Sequence, residues 1–294
     1  MAAGDFRGGR VIRLCRIPYC ISMPTAISRV YTNEGFVVAA DGRAQNSETG
    51  ESNDSTQKIF LINKPGIALA YSLAGTVVIG PKNSNEIIFN FYRELSRTIE
   101  SGQFERSRPK TLHELVRLYA NDLHGRLCAA MKERPDTCFL EEKYQRRETD
   151  RGGGFRIVQI FFDGYHRGVP SRAHVDFWHV NQKLRKPDPF PDDLDVNVGR
   201  VVGYGSEKVS SRLSNNSFKF RKYRLPRQNW TDRAVTLAEG IQHARDFIEA
   251  HKSEEARQID EEMCSAVGGH IHIATVTRSD GAAWVPGFEP VQDG

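Results

Sequence analysis

The sequence predicts an α+β protein in which helices cover the outer faces of two stacked antiparallel sheets. Two observations lead to this fold class. Apolar residues alternate or run in short blocks, as in β-strands, and groups of these blocks are separated by pairs of segments with helical periodicity. The resulting order is strands, helix pair, strands, helix pair and strands. Helices with a single apolar stripe pack on the outside of such sheets.

The first elements are two predicted β-hairpins. Apolar blocks at 26–32 and 35–41 flank a short Asn-Glu-Gly turn, and blocks at 55–62 and 66–75 flank an Asn-Lys-Pro turn. A polar loop, QNSETGESND, separates the two hairpins. The first part of the chain is therefore predicted to contain four strands that are close in sequence.

Two amphipathic helices are predicted after the hairpins, over 84–101 and 111–130. Apolar residues recur in both segments at the 3.6-residue spacing of a helix. Thr111 and Glu114 form the pattern of a capping box at the start of the second segment. Each helix is expected to lay one apolar stripe on a flat surface such as a sheet.

The second half of the chain repeats the order of strands, helices and strands. Strand patterns occupy 156–163 and 172–180, and a third helix begins after a Gly-Tyr-Gly-Ser run. The clearest helix covers 231–251 and is opened by a Thr or Asp cap. A strand, a Ser-Asp-Gly turn and a further strand close the chain. Charged loop insertions are predicted near 132–154 and 183–198.

Composition indicates a globular protein of a reducing compartment. The 294 residues carry a formal net charge of +4, and the five cysteines are scattered without a CxxC pair or zinc-finger spacing. No apolar run approaches the ~18 residues that a membrane span requires. A basic segment with aromatic residues, 212–228, fits a loop or subunit contact better than a nucleic-acid site, because the rest of the chain is not basic. We expect a cytoplasmic protein that binds neither membrane nor nucleic acid.

Side chains with catalytic chemistry stand at the ends of the predicted hairpin strands. Thr25 lies at the start of the first strand, and Lys58 lies in the segment TQKIFLI. Asp41 and Arg43 follow the second strand inside GFVVAADGRA. With the later segments AYSLAGT, GYGSEKV and GGHIHIATVTRSDG, the chain resembles the proteasome β subunit and the related bacterial ATP-dependent ring peptidase. The resemblance extends over most of residues 25–286.

The resemblance implies the fold of the N-terminal-nucleophile (Ntn) hydrolases, a four-layer αββα sandwich of two antiparallel sheets flanked by helix pairs. It implies one such domain over 25–290, preceded by a leader or propeptide at 1–24. That leader is also consistent with an overlong start, with Met23 as the initiator. The implied partners are a polypeptide substrate, further copies in a homo-oligomeric ring and an ATP-dependent unfoldase. No metal and no cofactor are expected.

The same resemblance assigns the chain to the threonine endopeptidases and gives each site residue a role. Thr25 would be the N-terminal nucleophile, and the backbone N–H near Gly75 would bind the oxyanion. Ser206 would support the hydrogen-bond network. The charged members of the catalytic set would be Asp41, Arg43 and Lys58. For Arg43, a structural ion pair is an alternative to a direct role.

Elementary chemistry gives a reason for this set of residues. A threonine hydroxyl is a weak nucleophile at neutral pH and needs a base within hydrogen-bond reach. If Thr25 is the first residue of the mature chain, its own α-amino group, whose ordinary pKa is about 7.7–8.0, can take the hydroxyl proton. A Lys58 ammonium beside it would lower the pKa of that amine, and Asp41 would hold the lysine and offset its burial. The turn of the first hairpin brings Asp41 back beside Thr25.

Departures from the family pattern leave two alternatives open. Cys264, Val267 and Tyr204 stand where the family carries Asp, Ser and Ser, and Pro24 replaces the usual Gly before the cleavage point. Proline stiffens the segment that must bend for self-cleavage. The chain is therefore also consistent with a catalytically silent proteasome-like subunit that has a structural or binding role. A third interpretation is a small-amide hydrolase of the same fold with Cys20 as its terminal nucleophile.

Overall fold

The computed structural model describes most of the region predicted to form the domain. The described residues are 21–23, 25–46, 50–81, 86–134, 154–180, 183–191, 201–214, 220, 222–223 and 235–291. Several sequence predictions fall wholly or partly outside them: Cys20, Pro24, most of the insertion near 132–154, part of the one near 183–198 and most of the basic segment 212–228.

Fifteen β-strands and six α-helices are present among the described residues. The strands are β1 (Ile21–Met23), β2 (Ile27–Tyr31), β3 (Gly35–Asp41), β4 (Ala44–Asn46), β5 (Ser52–Asn53), β6 (Ile59–Lys64), β7 (Ile67–Ile79), β8 (Phe89–Asn90), β9 (Gly154–His166), β10 (Val169–Val180), β11 (Lys183–Arg185), β12 (Phe190–Pro191), β13 (Val201–Tyr204), β14 (Ile271–Thr277) and β15 (Gly281–Trp284). The helices are α1 (Phe91–Ser101), α2 (Leu112–Glu133), α3 (Glu207–Ser214), α4 (Leu237–Lys252), α5 (Glu254–Arg257) and α6 (Glu261–Cys264), with a 3₁₀ turn at Glu105–Ser107.

The strands form two sheets in which the neighbouring strands are antiparallel. The larger sheet holds ten of the described strands in the order β11-β10-β9-β7-β1-β4-β5, and β6, β8 and β12 pair with β7 or β10 beside this path. The smaller sheet holds five strands in the order β13-β2-β3-β14-β15. The prediction of an α+β protein with antiparallel sheets is confirmed.

The first predicted hairpin is confirmed, and the second begins later than expected. β2 and β3 pair along their whole length. β6 begins at Ile59 and not at 55, and the turn to β7 is formed by Pro65 and Gly66. Gly66 has a φ of 77°, which favours glycine. The polar loop between the hairpins contains two short paired strands, β4 and β5, so the prediction of a plain loop there was wrong.

The strand patterns at 156–163 and 172–180 belong to one long hairpin, β9–β10. Its strands run to a two-residue turn formed by Arg167 and Gly168. Both turn residues have positive φ, 52° and 74°, as a type I′ turn requires. The strands are longer than predicted because the tight turn lets pairing continue to the end of the hairpin.

Helix α1 begins later than predicted because the residues before it pair as a strand. Residues 89–90 form β8 against the end of β7. The Asn90 side chain then accepts the N–H of Arg93 at 3.1 Å and caps the helix. The predicted span of 84–101 was therefore too long at its N-terminal end.

Side-chain caps also define the starts of α2 and α4. The Thr111 side chain accepts the N–H of Glu114, as the sequence predicted. Thr236 and Glu239 form a full capping box, so α4 begins at Leu237 and not near 231. Among the described residues, none of the helices combines the length and the apolar character needed to cross a bilayer.

The apolar core has three parts, which follow the sheets and their helices. One part lies between the sheets and includes Val38 of the smaller sheet and Phe161 of the larger. A second joins the larger sheet to α1 and α2, with Leu95 and Leu123 among its members. The third joins the smaller sheet to α3 and α4 and includes Ile248. The apolar stripes of the helices are therefore buried against the sheets, as their periodicity predicted.

A buried charge cluster links the two sheets within this core. Asp163 on β9 accepts hydrogen bonds from Nε of Arg29 on β2 at 2.7 Å and from Nε of Arg172 on β10 at 2.8 Å. All three residues are at most 2% exposed. The guanidinium groups also lie over the rings of Phe161 and Phe36, respectively. One carboxylate therefore holds two buried cations from different sheets.

We predict that Asp163→Asn lowers the free energy of unfolding by about 3–5 kcal/mol, because both arginines stay buried without their negative partner. Urea unfolding at neutral pH measures the loss. The matched control is Glu86→Gln, which breaks an exposed ion pair with Arg134 and should cost less than ~1 kcal/mol. Equal losses for the two variants would contradict the description of a buried charge cluster.

Two buried histidines should make stability depend on pH. Burial lowers the pKa of His243 on α4 to about 3. Burial, with smaller effects of His270 and Lys58, lowers the pKa of His272 on β14 to about 4. An unfolded histidine titrates near pH ~6.5, so between these values the unfolded chain binds more protons than the folded one. Stability is therefore lost as the pH falls below ~6.5.

We expect the melting temperature to fall between pH ~7 and pH ~5, with roughly 2 kcal/mol lost per buried histidine at pH ~5. His272→Leu removes one of these imidazoles and should make the pH dependence shallower, as measured by calorimetry across this range. Gln103→Ala removes an exposed side chain without a titratable group and serves as the control, with an unchanged slope. A His272→Leu variant that keeps the full slope would show that His272 is not responsible.

Candidate active site

Thr25 lies two residues before the start of β2 and is completely buried. The next residue, Ala26, donates its N–H to Oδ1 of Asp41 at 3.0 Å, and the Asp41 N–H donates to the Ala26 carbonyl at 3.2 Å. Asp41 ends β3, the antiparallel partner of β2, so the end of one strand lies beside the start of the other. The first hairpin therefore brings Asp41 next to Thr25, as the sequence indicated.

The Lys58 ammonium connects Thr25 with Asp41. Lys58 precedes β6 in the larger sheet, and its Nζ donates to Oδ1 of Asp41 at 2.9 Å and to Oγ1 of Thr25 at 3.3 Å. Its side chain has no exposed surface. Burial lowers the pKa of Lys58, and the Asp41 carboxylate partly opposes that shift. The site thus places a desolvated cation within hydrogen-bond reach of the threonine hydroxyl.

Asp41 is held by donors on both carboxylate oxygens. Oδ1 accepts from the Lys58 ammonium and from the Ala26 N–H. Oδ2 accepts from the backbone N–H groups of Arg43 and Gly268, at 3.2 and 3.1 Å. Four donors from separate parts of the chain fix the orientation of the carboxylate. The contact with Gly268 also ties the site to the segment that leads into β14.

The Arg43 side chain forms a bidentate ion pair with Asp54. Its Nε and Nη2 donate to the two carboxylate oxygens at 2.5 and 2.9 Å, and Nη1 donates to the Ser265 carbonyl at 3.2 Å. The pair lowers the pKa of Asp54. A Cβ on Gly268 would lie 2.6 Å from Cζ of Arg43, so a larger residue there would displace the guanidinium. This geometry favours the ion-pair alternative for Arg43, with its backbone N–H serving Asp41.

Gly75 lies in β7 beside the end of β1. Its φ of 104° suits glycine, and a Cβ there would lie 2.5 Å from the Ile157 carbonyl oxygen. Strand β1 pairs with β7 on one side and with β4 on the other. In this arrangement Met23 is opposite Gly75 and Ser22 is opposite Thr76. The extended β1 therefore runs along the residue predicted to bind the oxyanion.

Ser206 is buried and forms a hydrogen bond with Asp260. Its Oγ donates to Oδ2 of Asp260 at 2.6 Å and accepts the N–H of Val209 at 3.2 Å in the first turn of α3. Asp260 precedes α6, and the chain then continues to Gly268, which contacts Asp41. Ser206 thus holds the segment from Asp260 to Gly268, which in turn contacts Asp41. Its connection to Thr25 is therefore indirect.

The residues that depart from the family pattern have structural contacts of their own. Burial, reinforced by Asp260, raises the pKa of the Cys264 thiol to about 11, so this fully buried thiol stays protonated near neutral pH. Val267 packs in the core of the smaller sheet. The Tyr204 hydroxyl accepts a hydrogen bond from Nη2 of Arg156 at 3.3 Å. None of these three contacts replaces the carboxylate and hydroxyl groups that the family pattern carries.

Sequence reasoning missed three residues that support the site: Asp54, Asp260 and Gly268. Asp54 ends the polar run between the hairpins, where nothing distinguishes it from its neighbours. Asp260 stands in an acidic stretch that has the composition of a solvated surface. Gly268 belongs to the Gly-Gly pair before the last strands, and that pair was the one available signal, because adjacent glycines mark close backbone approach.

Comparisons with known proteins place this chain near two solved structures at low sequence identity. It is similar to the Anbu (Gly-1) mutant from Hyphomicrobium sp. strain MC1, with 13% identity over 90% of this chain and 88% of that chain and a TM-score of 0.44. It is also similar to Anbu, named as an ancestral beta-subunit, from Yersinia bercovieri, with 12% identity over 91% and 88% and a TM-score of 0.46. No protein-family model and no curated protein matches the chain. The chemistry of the site is therefore inferred from the geometry of the chain itself.

We predict that Asp41→Asn lowers the free energy of unfolding by about 3–5 kcal/mol. The substitution leaves the Lys58 ammonium buried without its carboxylate. The Asn side chain also replaces one accepting oxygen by an NH₂ group, which then faces N–H donors such as that of Gly268. Adding Lys58→Met removes the stranded charge, so the double variant should be more stable than Asp41→Asn alone. Urea unfolding of both variants tests this pair. Full additivity of the two losses would show that Lys58 and Asp41 do not interact.

Proposed function

We propose that the chain is a threonine endopeptidase whose nucleophile is Oγ of Thr25, released as the first residue by removal of the leader. One observation carries this proposal: the fully buried Lys58 ammonium contacts both the Thr25 hydroxyl and the Asp41 carboxylate. A buried ammonium of lowered pKa is costly for a fold, and such groups cluster at functional sites. Its position beside a hydroxyl supports nucleophilic catalysis.

The proposed reaction uses the terminal amine as the proton carrier. Oγ of Thr25 attacks the carbonyl carbon of a peptide bond, and its proton passes to the α-amino nitrogen of the same residue. The oxyanion that forms is stabilised by the backbone N–H of Gly75. The C–N bond then breaks, the amine gives its proton to the leaving nitrogen, and an ester remains on Thr25. Water, deprotonated by the same amine, hydrolyses the ester and restores the hydroxyl.

In this proposal Lys58 acts through its charge. Its ammonium repels a second positive charge on the neighbouring amine, which lowers the pKa of that amine and keeps it able to accept a proton. The same ammonium stabilises negative charge that develops on Oγ of Thr25 during attack. Asp41 keeps Lys58 in place, and the ion pair between Arg43 and Asp54 keeps the segment after β3 in place.

Removal of the leader has two roles in the proposal. The Thr25 nitrogen is part of a peptide bond with Pro24 in the full chain, so cleavage there creates the base. Cleavage also lets β1 leave the space between β4 and β7. The backbone groups that pair with β1 then become available to an extended substrate, which would bind by adding a strand to the sheet.

The proposal also covers the layer order of the sheets and helices and the assembly of the chain into oligomers. The two outer core clusters support a four-layer αββα order over a single domain at 25–290, because each sheet has helices on one face and the other sheet on the opposite face. We propose a cytoplasmic homo-oligomeric ring that receives polypeptides from an ATP-dependent unfoldase. These features rest on the motif resemblance of residues 25–286.

A catalytically silent subunit is the second candidate, and the state of two residues favours it. Thr25 has no exposed surface when the leader is present. Cys264 is a buried, protonated thiol at a position where the family pattern has a carboxylate. If the leader is retained, Thr25 has no free amine and the site can only bind. The Cys20 interpretation concerns a residue outside the described part of the chain and remains a separate prediction.

The decisive experiment compares the wild type with the variants Thr25→Ala and Thr25→Ser. Each protein is released from a cleavable N-terminal fusion so that its first residue is the one at position 25, and each is tested with an unstructured protein as substrate. We expect the Thr25→Ala rate to fall by at least ~10³-fold and the Thr25→Ser rate to be partly retained, since a hydroxyl nucleophile remains. Degradation that is equal with Thr25→Ala, or absent from all three proteins, would remove the threonine mechanism.

Intact mass of the purified full chain separates the two candidates. A mass that corresponds to a chain starting at Thr25 supports the peptidase, and a chain that still begins at or before Pro24 supports the silent subunit.

Lys58→Met, made in the chain that starts at Thr25, should lower the rate and shift the pH profile upwards, because the terminal amine then regains its ordinary pKa of about 7.7–8.0.

A further inference from the structure

The end of the molecule opposite Thr25 carries a group of exposed arginines, here called the arginine surface. Its members are Arg108, Arg167, Arg278 and Val169, all of them exposed, and Val169 follows Arg167 and Gly168 in the chain. Val169 is 59% exposed, the largest exposure among the large apolar residues that the structure describes. Arg106 and Lys110 are exposed beside the group.

Hydrogen bonds hold these arginines in place. Nη2 of Arg167 donates to the Arg108 carbonyl at 2.9 Å, and Nη2 of Arg278 donates to the Gly168 carbonyl at 2.9 Å. The Arg278 guanidinium also lies over the ring of Tyr165, with Cζ 5.8 Å from the ring centre. The guanidinium groups of Arg167 and Arg278 each use one of five N–H donors in these bonds, so further donors are left for a ligand.

Two of the arginines adopt a backbone conformation that an L-residue rarely takes. Arg108 and Arg167 have φ of 54° and 52°, and among the described residues they are the only non-glycine residues with positive φ. This conformation costs roughly 1 kcal/mol or more in a residue with a Cβ, and Gly or Asn is the usual choice at such a turn position. Arginine at positions 108 and 167 therefore makes the fold less stable than Gly or Asn would at the same positions.

The arginine surface is also unbalanced in charge. Within the part of the chain that the structure describes, Arg108, Arg167 and Arg278 form no ion pair. Two carboxylates stand close in sequence to this group: Glu114 accepts the N–H of Lys110, and Asp280 accepts from the Thr277 and Ser279 hydroxyls. With Arg106 and Lys110, the exposed positive charges outnumber these two carboxylates, which favours an anionic ligand.

The position of the surface separates it from the candidate active site. The β9–β10 turn lies at the Ile67 end of β7, because His166 is opposite Ile67, whereas Gly75 lies towards the Thr25 end. About eight residues of extended strand, at about 3.3 Å each, separate these ends by roughly 26 Å. A ligand on the arginine surface does not occupy the groove that holds the leader.

We propose that the arginine surface is the docking site of a partner polypeptide through an acidic segment that also carries an apolar side chain. The guanidinium groups match carboxylates in geometry and charge. The exposed Val169, two residues after Arg167, favours a polypeptide over a nucleic acid or a lipid headgroup layer, since it offers an apolar contact next to the charged ones. This proposal does not depend on the peptidase activity.

The experiment uses the full chain with Thr25→Ala, so that no peptide is cut. Fluorescence anisotropy measures binding of a fluorescein-labelled, glutamate-rich peptide that carries leucines. Arg167→Asn with Arg278→Gln should raise Kd at least ~10-fold. Asn is favoured at the turn position, so Arg167→Asn should keep or raise the melting temperature. Calorimetry of the double variant shows that a loss of binding does not come from unfolding. Arg185→Gln removes an exposed charge on β11 and is the matched control.

Further arms distinguish the class of ligand. Val169→Ser should also weaken binding of the peptide, and raised salt should weaken it further. A single-stranded oligonucleotide and vesicles with anionic lipids are tested in parallel, and both should bind more weakly than the peptide. The proposal is overturned by absent peptide binding, by equal Kd values for the arginine variant and Arg185→Gln, or by tighter binding of the oligonucleotide or the vesicles.

Discussion

The arrangement of the site depends on the buried ion pair between Lys58 and Asp41. An ammonium without solvent is tolerated only when a carboxylate and further hydrogen bonds compensate its lost hydration. Asp41 provides that compensation because backbone donors on both of its oxygens hold it in one orientation. The ion pair joins the larger sheet to the smaller one, so the contact that the fold requires is also the contact that brings a cation to Thr25.

A second set of buried charges crosses between the same two sheets. Arg29 of the smaller sheet shares Asp163 of the larger sheet with Arg172. Apolar contacts between sheets are not directional, so by themselves they permit small shifts of one sheet over the other. We interpret the two ionic links as the contacts that restrict such shifts. A fixed alignment of the sheets is what keeps Nζ of Lys58 within 3.3 Å of Oγ1 of Thr25.

The sequence was informative where structure depends on neighbouring residues. Alternation predicted the first hairpin, and a capping residue predicted the start of α2. Sequence reasoning failed where distant segments pair: residues 89–90 have the pattern of a helix but join β7, and the polar loop contains strands because β4 pairs with β1. The first hairpin predicted that Asp41 lies beside Thr25, since strand pairing fixes that contact. The position of Lys58 followed only from the family resemblance, because Lys58 reaches the site from the other sheet. The partner of Arg43 was not predictable, because several acidic residues in the same loop are equivalent in sequence.

The position of β1 explains why one sheet contains both a scaffold and a candidate groove. β1 is the sole strand of the described residues that joins β7 to β4, and β4 continues only to the short β5. Neighbouring strands lie about 4.8 Å apart, so the space between β7 and β4 is roughly 9.6 Å wide and admits one extended chain. The edges that bound it carry unpaired backbone groups once β1 has left, and such edges bind further strands. On the proposed function, the leader and the substrate therefore compete for the same backbone hydrogen bonds. The cleavage that frees the Thr25 amine also weakens binding of the leader, because a short detached strand is no longer held near its site by the chain.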